Sequence, residues 1–506
     1  MAEGTAPVNA SAYYLDRHIE EGHGDRPAIR TESESWTYGE LLDHVKRAGA
    51  QLRSAGVSRG DRVVLMHADA PQAVAFLLGA MRIGAAPAPI PTQLTQDEVA
   101  FICDDCTPSA AVIDSACSER MFGAREQLGS TMAIIVTDEP QADDAPASDA
   151  DEPADLVLLA PDEPALFQYT SGSTGSPKGV VHLHRGLLAL PAGFGARLAL
   201  SENDICYSAA KLSFGYGLGN SVLFPMAAGA SSFLRAAPSD PLGVMQTIQK
   251  AEPTVVFGGP TLFGAIASIR SAKLDLPSVR LYVSAGDALS AELFDTWQER
   301  FSHQILDGLG STECLHIFMC AEPGKAVGGQ LGTAIPPYEA RLVEEDGTIL
   351  PPGSTGLLEI KGPANFDRYW NRPEQTSDTI RDGWVRTGDV LHQNDGGVFT
   401  YVGRRDDIFM VREMKVAPVE IEQILVDDPA VAECAVVGRP DSGGFPSVCA
   451  FIRLAEGSEA SRELEQALRE RVRSSLSPHK VPKTFEFVDA LPRTSTGKLT
   501  RHTLRT

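Results

Sequence analysis

The stretch Tyr169-Thr170-Ser171-Gly172-Ser173-Thr174-Gly175-Ser176-Pro177-Lys178-Gly179 decides how the rest of this chain is read. Small residues let a backbone approach a ligand closely, and hydroxyls with backbone amides form a concavity for phosphate oxygens. Lys178 adds a compensating positive charge. The run is not a Walker A loop, which needs Gly immediately before the Lys and Ser or Thr after it. Pro177 and Gly179 stand at those positions. A flexible Ser/Gly linker has no need of Tyr169, Pro177 and Lys178, and apolar segments flank this run. It reads as a phosphate cradle.

Three further stretches downstream can carry chemistry. In Asp307-Gly308-Leu309-Gly310-Ser311-Thr312-Glu313, an apolar segment delivers a glycine turn that ends in a hydroxyl and a carboxylate. Glu313 can hold a Mg²⁺ that bridges nucleotide phosphates, because Mg²⁺ takes one or two carboxylates plus phosphate oxygens. Thr312 and Glu313 can equally cap a helix. Arg386-Thr387-Gly388-Asp389 offers a carboxylate after a tight turn, suited to a ribose diol, and Gly403-Arg404-Arg405-Asp406-Asp407 follows. Near the end, Pro492-Arg493-Thr494-Ser495-Thr496-Gly497-Lys498 sets a lysine in a loop.

Around these motifs the pattern is α/β. Leu41–Leu52 has helical spacing, Val63–Met66 is a short apolar strand, Ala73–Met81 a helix, and Ala85–Ile90 extended, with further strands at Ala110–Ile113 and Ala133–Val136. A second such region covers about 200–320, with strands at Thr254–Phe257, Leu281–Ser284 and Gln304–Leu306. Residues 330–402 turn β-like. A compact unit follows, with helices near 419–426 and 460–475 and strands near 432–437 and 448–453. The uncharged run Leu212–Leu234 reads as core strand and loop, since its Gly, Ser, Asn and Pro make a poor membrane span. Residues 138–163 hold ten acids and no bases and read as a solvated surface spacer.

The 506 residues carry 44 Lys and Arg against 67 Asp and Glu, a net charge of −23. Residues 406–506 hold 14 basic and 16 acidic residues, so the excess sits in the first 405. Such a surface repels nucleic acid, and an anionic ligand must be held by local geometry. Eight scattered cysteines are not a disulfide scaffold. Cys103 and Cys106 form a CxxC without the second pair a zinc site needs, and read as core thiols. The N-terminus has neither a basic segment nor an apolar one of the kind that directs export, so a soluble, cytoplasmic protein without membrane contact is expected.

Taken in order, the motifs resemble those of the adenylate-forming superfamily: acyl- and aryl-CoA synthetases, peptide-synthetase adenylation domains and luciferases. YTSGSTGSPKG matches its phosphate loop, YGLGN its aromatic-pocket segment, GLGSTE its adenine and Mg²⁺ motif, RTGD its ribose motif, GRRDD its hinge and RTSTGK its catalytic-lysine motif. The stretches SAAKLSFGYGLGN, GGPTLF, SAGDALS and GLGSTECLHIF resemble the benzoate-CoA ligase group most. The likeness covers roughly residues 10–505. It implies an α/β fold with a large N-terminal domain of α/β and β-rich subdomains over 1–405, and a small mobile α+β domain over 406–506 that swings about Asp406. It implies ATP-dependent activation of a benzoate-type acid to aryl-AMP, then transfer to CoA.

The resemblance also assigns roles. Thr170, Ser171, Gly172, Ser173, Thr174 and Lys178 cradle the phosphates. Glu313, with Thr174 nearby, binds Mg²⁺. Ala285, Gly286, Asp307, Gly308 and Leu309 form the adenine slot, with Gly310 and Ser311 beside it, and Thr312 counts with Lys498, Glu313 and His316 among the catalytic residues. Asp389 and Arg404 hold the ribose. Lys498 bridges the carboxylate and the α-phosphate. Phe214, Gly215, Tyr216, Ala285, Gly310, His316 and Ile317 line the aryl pocket, with His316 near the substrate carboxylate. Gly215 leaves room for an amino or hydroxyl ring substituent. The chain departs from the family at Arg412 and Glu413, where small residues usually border the pantetheine tunnel. A separate acyl carrier protein is therefore the alternative acceptor to CoA. The resemblance allows a homodimer.

Overall fold

The computed structural model describes residues 6–138, 154–171, 177–269, 278–411, 414–440, 445–493 and 499–505. The chain divides into two compact units, Met1–Ala340 with Ile360–Val385, and Arg341–Glu359 with Arg386–Thr506.

The first unit is built on parallel strands. Pro27–Arg30, Ser231–Phe233, Ile205–Ser208, Val255–Gly258, Leu281–Ala285 and Ile305–Gly310 run side by side, and all five pairings between neighbours are parallel. Antiparallel strands finish both edges: Ser35–Thr37 at one, Ile317–Cys320 and Thr333–Ala334 at the other. A second parallel sheet pairs Ala86–Pro89, Arg62–Met66, Ala110–Ile113 and Ala133–Val136. Several of these strands are short, wholly apolar runs because helices or neighbouring layers cover both faces of a parallel sheet. The expected strands fall where periodicity put them. The first helix is longer than its apolar spacing suggested, Tyr38–Ser54, because Thr37 and Glu40 close a capping box ahead of Leu41.

The strands Pro164–Ser171 and Pro177–Leu183 form an antiparallel hairpin in which Thr170 pairs with Lys178 and Ser171 with Pro177. The described ends of the expected phosphate cradle, at Thr170 and Lys178, are thus paired across the two strands. Gly172, Ser173 and Thr174 lie outside the described residues, as does the side chain of Ser171.

Three readings need correction. Leu212–Leu234 is not strand and loop: Gly215–Leu218, Gly219–Leu223 and Phe224–Ala228 are helical, and only Ser231–Phe233 is strand. The glycines that argued against a helix are there for close approach. A Cβ on Gly217 would sit 2.0 Å from the Lys211 carbonyl oxygen, and one on Gly219 would sit 2.3 Å from His316 Cδ2. Tertiary packing overrides their poor helix propensity. The acidic spacer, whose residues 139–153 lie outside the description, ends inside the fold. Ala154 and Leu159 are buried, and Val157 N–H donates to the Arg82 carbonyl. Among the β-like residues 330–402 lies one helix, Pro373–Thr379.

The second unit packs the helices Pro418–Val426 and Arg462–Ser475 with the sheet of Val431–Pro440, Pro446–Leu454 and Thr484–Phe487. Ile421, Leu425, Val436, Val448, Ile452, Leu468 and Val472 form its core. Asp389 pairs with Arg404 across the antiparallel strands Trp384–Gln393 and Phe399–Arg404.

All eight cysteines are free. Cys103 and Cys106 lie buried in the helix Gln96–Cys106, and burial pushes each thiol up to about 12. A protonated thiol is a poor nucleophile, so the pair is core packing. No helix among the described residues is long and apolar enough to cross a membrane.

One substitution tests the packing explanation directly. Gly217→Ala should gain about 1 kcal/mol from helix propensity, yet the 2.0 Å clash is with main chain that cannot yield cheaply. We expect a net loss of about 1–3 kcal/mol in denaturant unfolding, whereas a gain would show that the glycine serves no packing purpose.

Candidate active site

The open ends of the parallel strands set the site. In an α/β sheet, ligands collect outside the carboxyl ends of the strands. Here Val255–Gly258, Leu281–Ala285 and Ile305–Gly310 end side by side, with Ala285 in register with Gly308 and Ser284 with Asp307. Gly286 follows in the left-handed region at φ +102°, with no atom within 4 Å of where a Cβ would stand. The expected adenine slot residues are therefore neighbours at adjacent strand ends.

Asp307 is the unusual member. Its Oδ2 accepts from Leu289 N–H at 3.4 Å, while Oδ1 is buried without a hydrogen-bond partner among the described residues. Burial pushes this carboxyl up to about 8. An orphaned buried acceptor is costly unless a ligand satisfies it.

The tyrosine of the aromatic segment reaches over the same strand ends. The Tyr216 hydroxyl lies 3.2 Å from the Gly258 carbonyl and 3.0 Å from that of Val283, and donates there. Phe214 is the residue before its helix. Gly215 lies against Leu315, whose carbonyl oxygen would be 2.5 Å from a Cβ at 215. Leu315 itself adopts φ +65°, ψ −37°. A non-glycine residue held there costs on the order of 1–3 kcal/mol and marks a turn fixed by its surroundings.

That turn delivers His316 into an aromatic box. Its ring centroid lies 5.2 Å from Phe194, 5.4 Å from Tyr216 and 4.6 Å from Phe224. Nε2 lies 3.1 Å from Asn220 Oδ1 and 3.3 Å from the Tyr216 carbonyl oxygen. A carbonyl only accepts, so Nε2 carries the proton and Nδ1 the lone pair. Nδ1 has no partner among the described residues. Burial drives the ring's pKa down to about 3, so it stays neutral. Ile317 and Gly310 complete this wall, the Gly310 Cα facing the His316 carbonyl so closely that a Cβ would stand 2.7 Å from it.

Glu313 follows Ser311, whose hydroxyl caps the short turn Thr312–Cys314 by accepting from Cys314 N–H at 3.3 Å. Ser311, rather than Thr312 or Glu313, is thus the cap. Glu313 is partly exposed and accepts a 2.6 Å hydrogen bond from the Tyr369 hydroxyl on Oε1. The ammonium of Lys178 lies 5.3 Å from the centroid of that same Tyr369 ring. The hairpin lysine and the carboxylate, 135 positions apart in sequence, thus share one tyrosine. A buried histidine braces the turn, with His182 Nε2 donating to the Thr312 carbonyl at 2.9 Å. Tyr369 lies outside the motifs read in the sequence, as do His182, Phe194 and Phe224, whereas Asn220 ends the YGLGN segment. A partly exposed carboxylate already oriented by a phenol suits Mg²⁺, which needs few protein ligands.

In the second unit, Asp389 is buried and pairs with Arg404, whose Nη1 donates to Asp389 Oδ1 and to the Thr387 carbonyl, both at 2.9 Å. Gly388 at φ +77° lets the arginine lie across the turn. The Asp406 carbonyl accepts from Arg505, and Arg505 and Arg501 both pair with Asp407. Arg501 also makes a 2.7 Å ion pair with Glu422. The tail after residue 498 is thereby fastened to the expected hinge segment. Lys498, Arg412 and Glu413 lie outside the described residues.

A lysine and an oriented carboxylate that share one tyrosine suit the binding of an anion with a divalent cation. The family comparison agrees. Residues 15–370 match the AMP-binding enzyme family and residues 420–498 the AMP-binding enzyme C-terminal domain. The chain belongs to this family of AMP-binding, adenylate-forming enzymes. Among its relatives is a benzoate–CoA ligase of Thauera aromatica, 36% identical, the match covering 98% of this chain and 95% of the relative. A 4-hydroxybenzoate–CoA/benzoate–CoA ligase of Rhodopseudomonas palustris is 37% identical, with 98% and 94% covered. A p-hydroxybenzoic acid–AMP ligase of Mycobacterium marinum is 34% identical, with 98% and 69% covered. The crystal structure of the anthranilate CoA ligase AuaEII with anthranoyl-AMP superposes with a TM-score of 0.92 at 29% identity, covering 99% of this chain and 97% of that one.

Burial of uncharged histidines carries a pH signature. His182 and His184 are pushed down to about 4 and His316 to about 3, all by burial. In the unfolded chain each titrates near ~6.5. Their contribution to stability is therefore complete above about pH 6.5 and lost as pH falls toward about 4, by about 1.4 kcal/mol per histidine per pH unit. Urea unfolding at a series of pH values should show this fall. His316→Asn should flatten the slope by about one proton, and an unchanged slope would contradict a neutral buried ring.

Proposed function

We propose that this enzyme is an aryl-CoA ligase for a benzoate-type acid: benzoate, an aminobenzoate such as anthranilate, or a hydroxybenzoate. The observation that carries this reading is the match to benzoate–CoA ligases over 98% of the chain. The aromatic residues Phe214 and Tyr216, the latter 5.4 Å from His316 between ring centroids, support it.

On this reading the acid's carboxylate oxygen attacks the α-phosphorus of ATP. Pyrophosphate leaves, and aryl-AMP forms. The thiol of CoA then attacks the acyl carbon, giving aryl-CoA and AMP. The first step brings two anions together, so catalysis is mainly positioning and charge neutralisation. Thr170, Ser171, Gly172, Ser173, Thr174 and Lys178 hold the β- and γ-phosphates. Glu313 and Thr174 would hold a Mg²⁺ ion, which would supply further neutralising charge when bound. Tyr369 keeps the Glu313 carboxylate aimed. Ala285, Gly286, Asp307, Gly308 and Leu309 receive the adenine, with Gly310 and Ser311 beside them, and Asp389 and Arg404 the ribose, while Thr312 stands with Glu313 among the catalytic residues. Lys498 offsets charge at the carboxylate and α-phosphate during the first step. Phe214, Gly215, Tyr216, Gly310 and Ile317 border the ring, and His316 lies beside the carboxylate. The domain over 406–506 turns about Asp406 between the two steps. Such an enzyme works in the cytoplasm, where ATP and CoA are supplied, and a homodimer is compatible with it.

A second reading gives the acyl group to the phosphopantetheine of a separate carrier protein. Arg412 and Glu413 at usually small positions favour it, as does the likeness to a p-hydroxybenzoic acid–AMP ligase.

Product analysis by mass separates the two. Protein, ATP and Mg²⁺ are incubated with benzoate, aminobenzoates and hydroxybenzoates, with and without CoA. The ligase reading expects one acid to give its CoA thioester. Aryl-AMP that accumulates unchanged by CoA supports the carrier reading, and the absence of any adenylate contradicts both. Lys498→Ala should lower aryl-AMP formation by about 100-fold or more. Tyr369→Phe should keep the fold and raise the Mg²⁺ concentration needed for half-maximal rate several-fold. An unchanged requirement would remove Tyr369 from the site.

A further inference from the structure

The N-terminal turn of the first unit carries side chains for which nucleotide and acid chemistry has no use. A helical run ends at Glu20, Glu21 caps it, and Gly22 follows in the left-handed region at φ +79°. Gly22 N–H donates to the Ile19 carbonyl at 3.0 Å and His23 N–H to the His18 carbonyl at 2.6 Å. This paired closure folds the second residue past the cap back over the third residue before it, where two apolar side chains usually touch. Here both are histidines. Their ring centroids are 6.4 Å apart, with Glu21 between them in sequence. One ligand atom from each of His18, Glu21 and His23 lies within 4.8 Å of the other two.

His18 is the fixed member. Its side chain is buried, 3% exposed, and packs on Tyr38 at 4.4 Å between centroids. Nε2 donates to the Met226 carbonyl at 2.6 Å, so the lone pair sits on Nδ1. Nδ1 is buried and has no hydrogen-bond partner among the described residues. An imidazole whose N–H is tied to a carbonyl while the other nitrogen stays bare is oriented as metal-ligating histidines are. Glu21 and His23 are the adjustable members: His23 Nδ1 lies 3.5 Å from Glu21 Oε2, with side chains 34% and 54% exposed respectively.

We infer that His18, Glu21 and His23 form a binding site for a divalent transition-metal ion of the zinc type, with water completing the coordination. Two imidazoles and one carboxylate suit Zn²⁺, Co²⁺ or Ni²⁺ rather than the all-oxygen cations. Ligand atoms ~2.0–2.1 Å from a tetrahedral ion lie about 3.4 Å apart. Glu21 and His23 must therefore close on His18 by up to about 1.4 Å, within reach of side chains that are partly or fully exposed. The carbonyl end of the helix favours a cation. Arg17 and Arg26 oppose it: Arg17 is bonded to the Met226 and Ala227 carbonyls, and Arg26 Nη1 lies beside Gly229. Their charge limits affinity but does not occupy the ligand atoms.

The test uses the full-length protein stripped with EDTA and desalted. Co²⁺ is titrated in and followed by its visible absorption, and Zn²⁺ is then added in competition. The site predicts one equivalent of Co²⁺ with a spectrum of low coordination number, displaced by Zn²⁺. His23→Gln and Glu21→Gln, both at exposed side chains, should weaken binding roughly tenfold or more and leave the melting temperature of the metal-free protein unchanged. Stoichiometric binding that survives in His23→Gln would mean an adventitious ion elsewhere. That result, or the absence of a saturable equivalent in the parent protein, overturns the proposal.

Discussion

The close approach of the helical segment 215–219 to the turn at 315–316 is the constraint on which the first unit's site depends. Only glycine at 215 and 219 lets Leu315 and His316 come so near, and Leu315 answers with a positive φ. From this contact follows the position of His316 among three aromatic rings. From it too follows the direction in which Gly310 and Ile317 leave the sheet. The same backbone path carries Glu313 to Tyr369, three residues before His316. The buried His316 ring and the Glu313 carboxylate therefore stand on one short turn that holds Leu315 at positive φ.

Charge is handled differently around these two residues. Around His316 charge is excluded: the histidine is held neutral, and the nearby polar groups are carbonyls, an amide and hydroxyls. Around Glu313 charge is kept, but directed by a phenol and a lysine that share one ring. A net charge of −23 makes such direction necessary, because the bulk surface gives an anionic ligand no help. The second unit uses buried ion pairs instead. Glu359 lies between Arg341 and Arg386, and Arg501 between Glu422 and Asp407. The pairs made by Arg501 fasten the tail after residue 498.

Much of the fold was legible because parallel strands buried on both faces spell themselves as apolar runs. VVLM, AAVI and VVFG could be read without any neighbour. The helix start at Tyr38 was legible too, in Thr37 and Glu40, though apolar spacing alone put it later. Gly215–Ala228 was not, since glycines chosen for close approach look like glycines chosen for a loop. Of the site, motif order named Lys178, Glu313, Asp389 and Arg404, and the structure adds what each one touches. It did not name Tyr369 or His182. A single tyrosine or histidine gains meaning only from a partner far away in sequence, and spacing does not record that partner. Nor did it show that Asp389 and Arg404 pair with each other.

The central claim is that the aromatic box around His316 is an aryl-acid site. The most direct measurement is a crystal structure with a hydrolysis-resistant aryl-adenylate analogue. The account predicts the aryl ring packed between the backbone at Gly215 and the His316 side chain, with Leu315 still at positive φ. A ring bound elsewhere, with the box around His316 closed and unchanged, would contradict it.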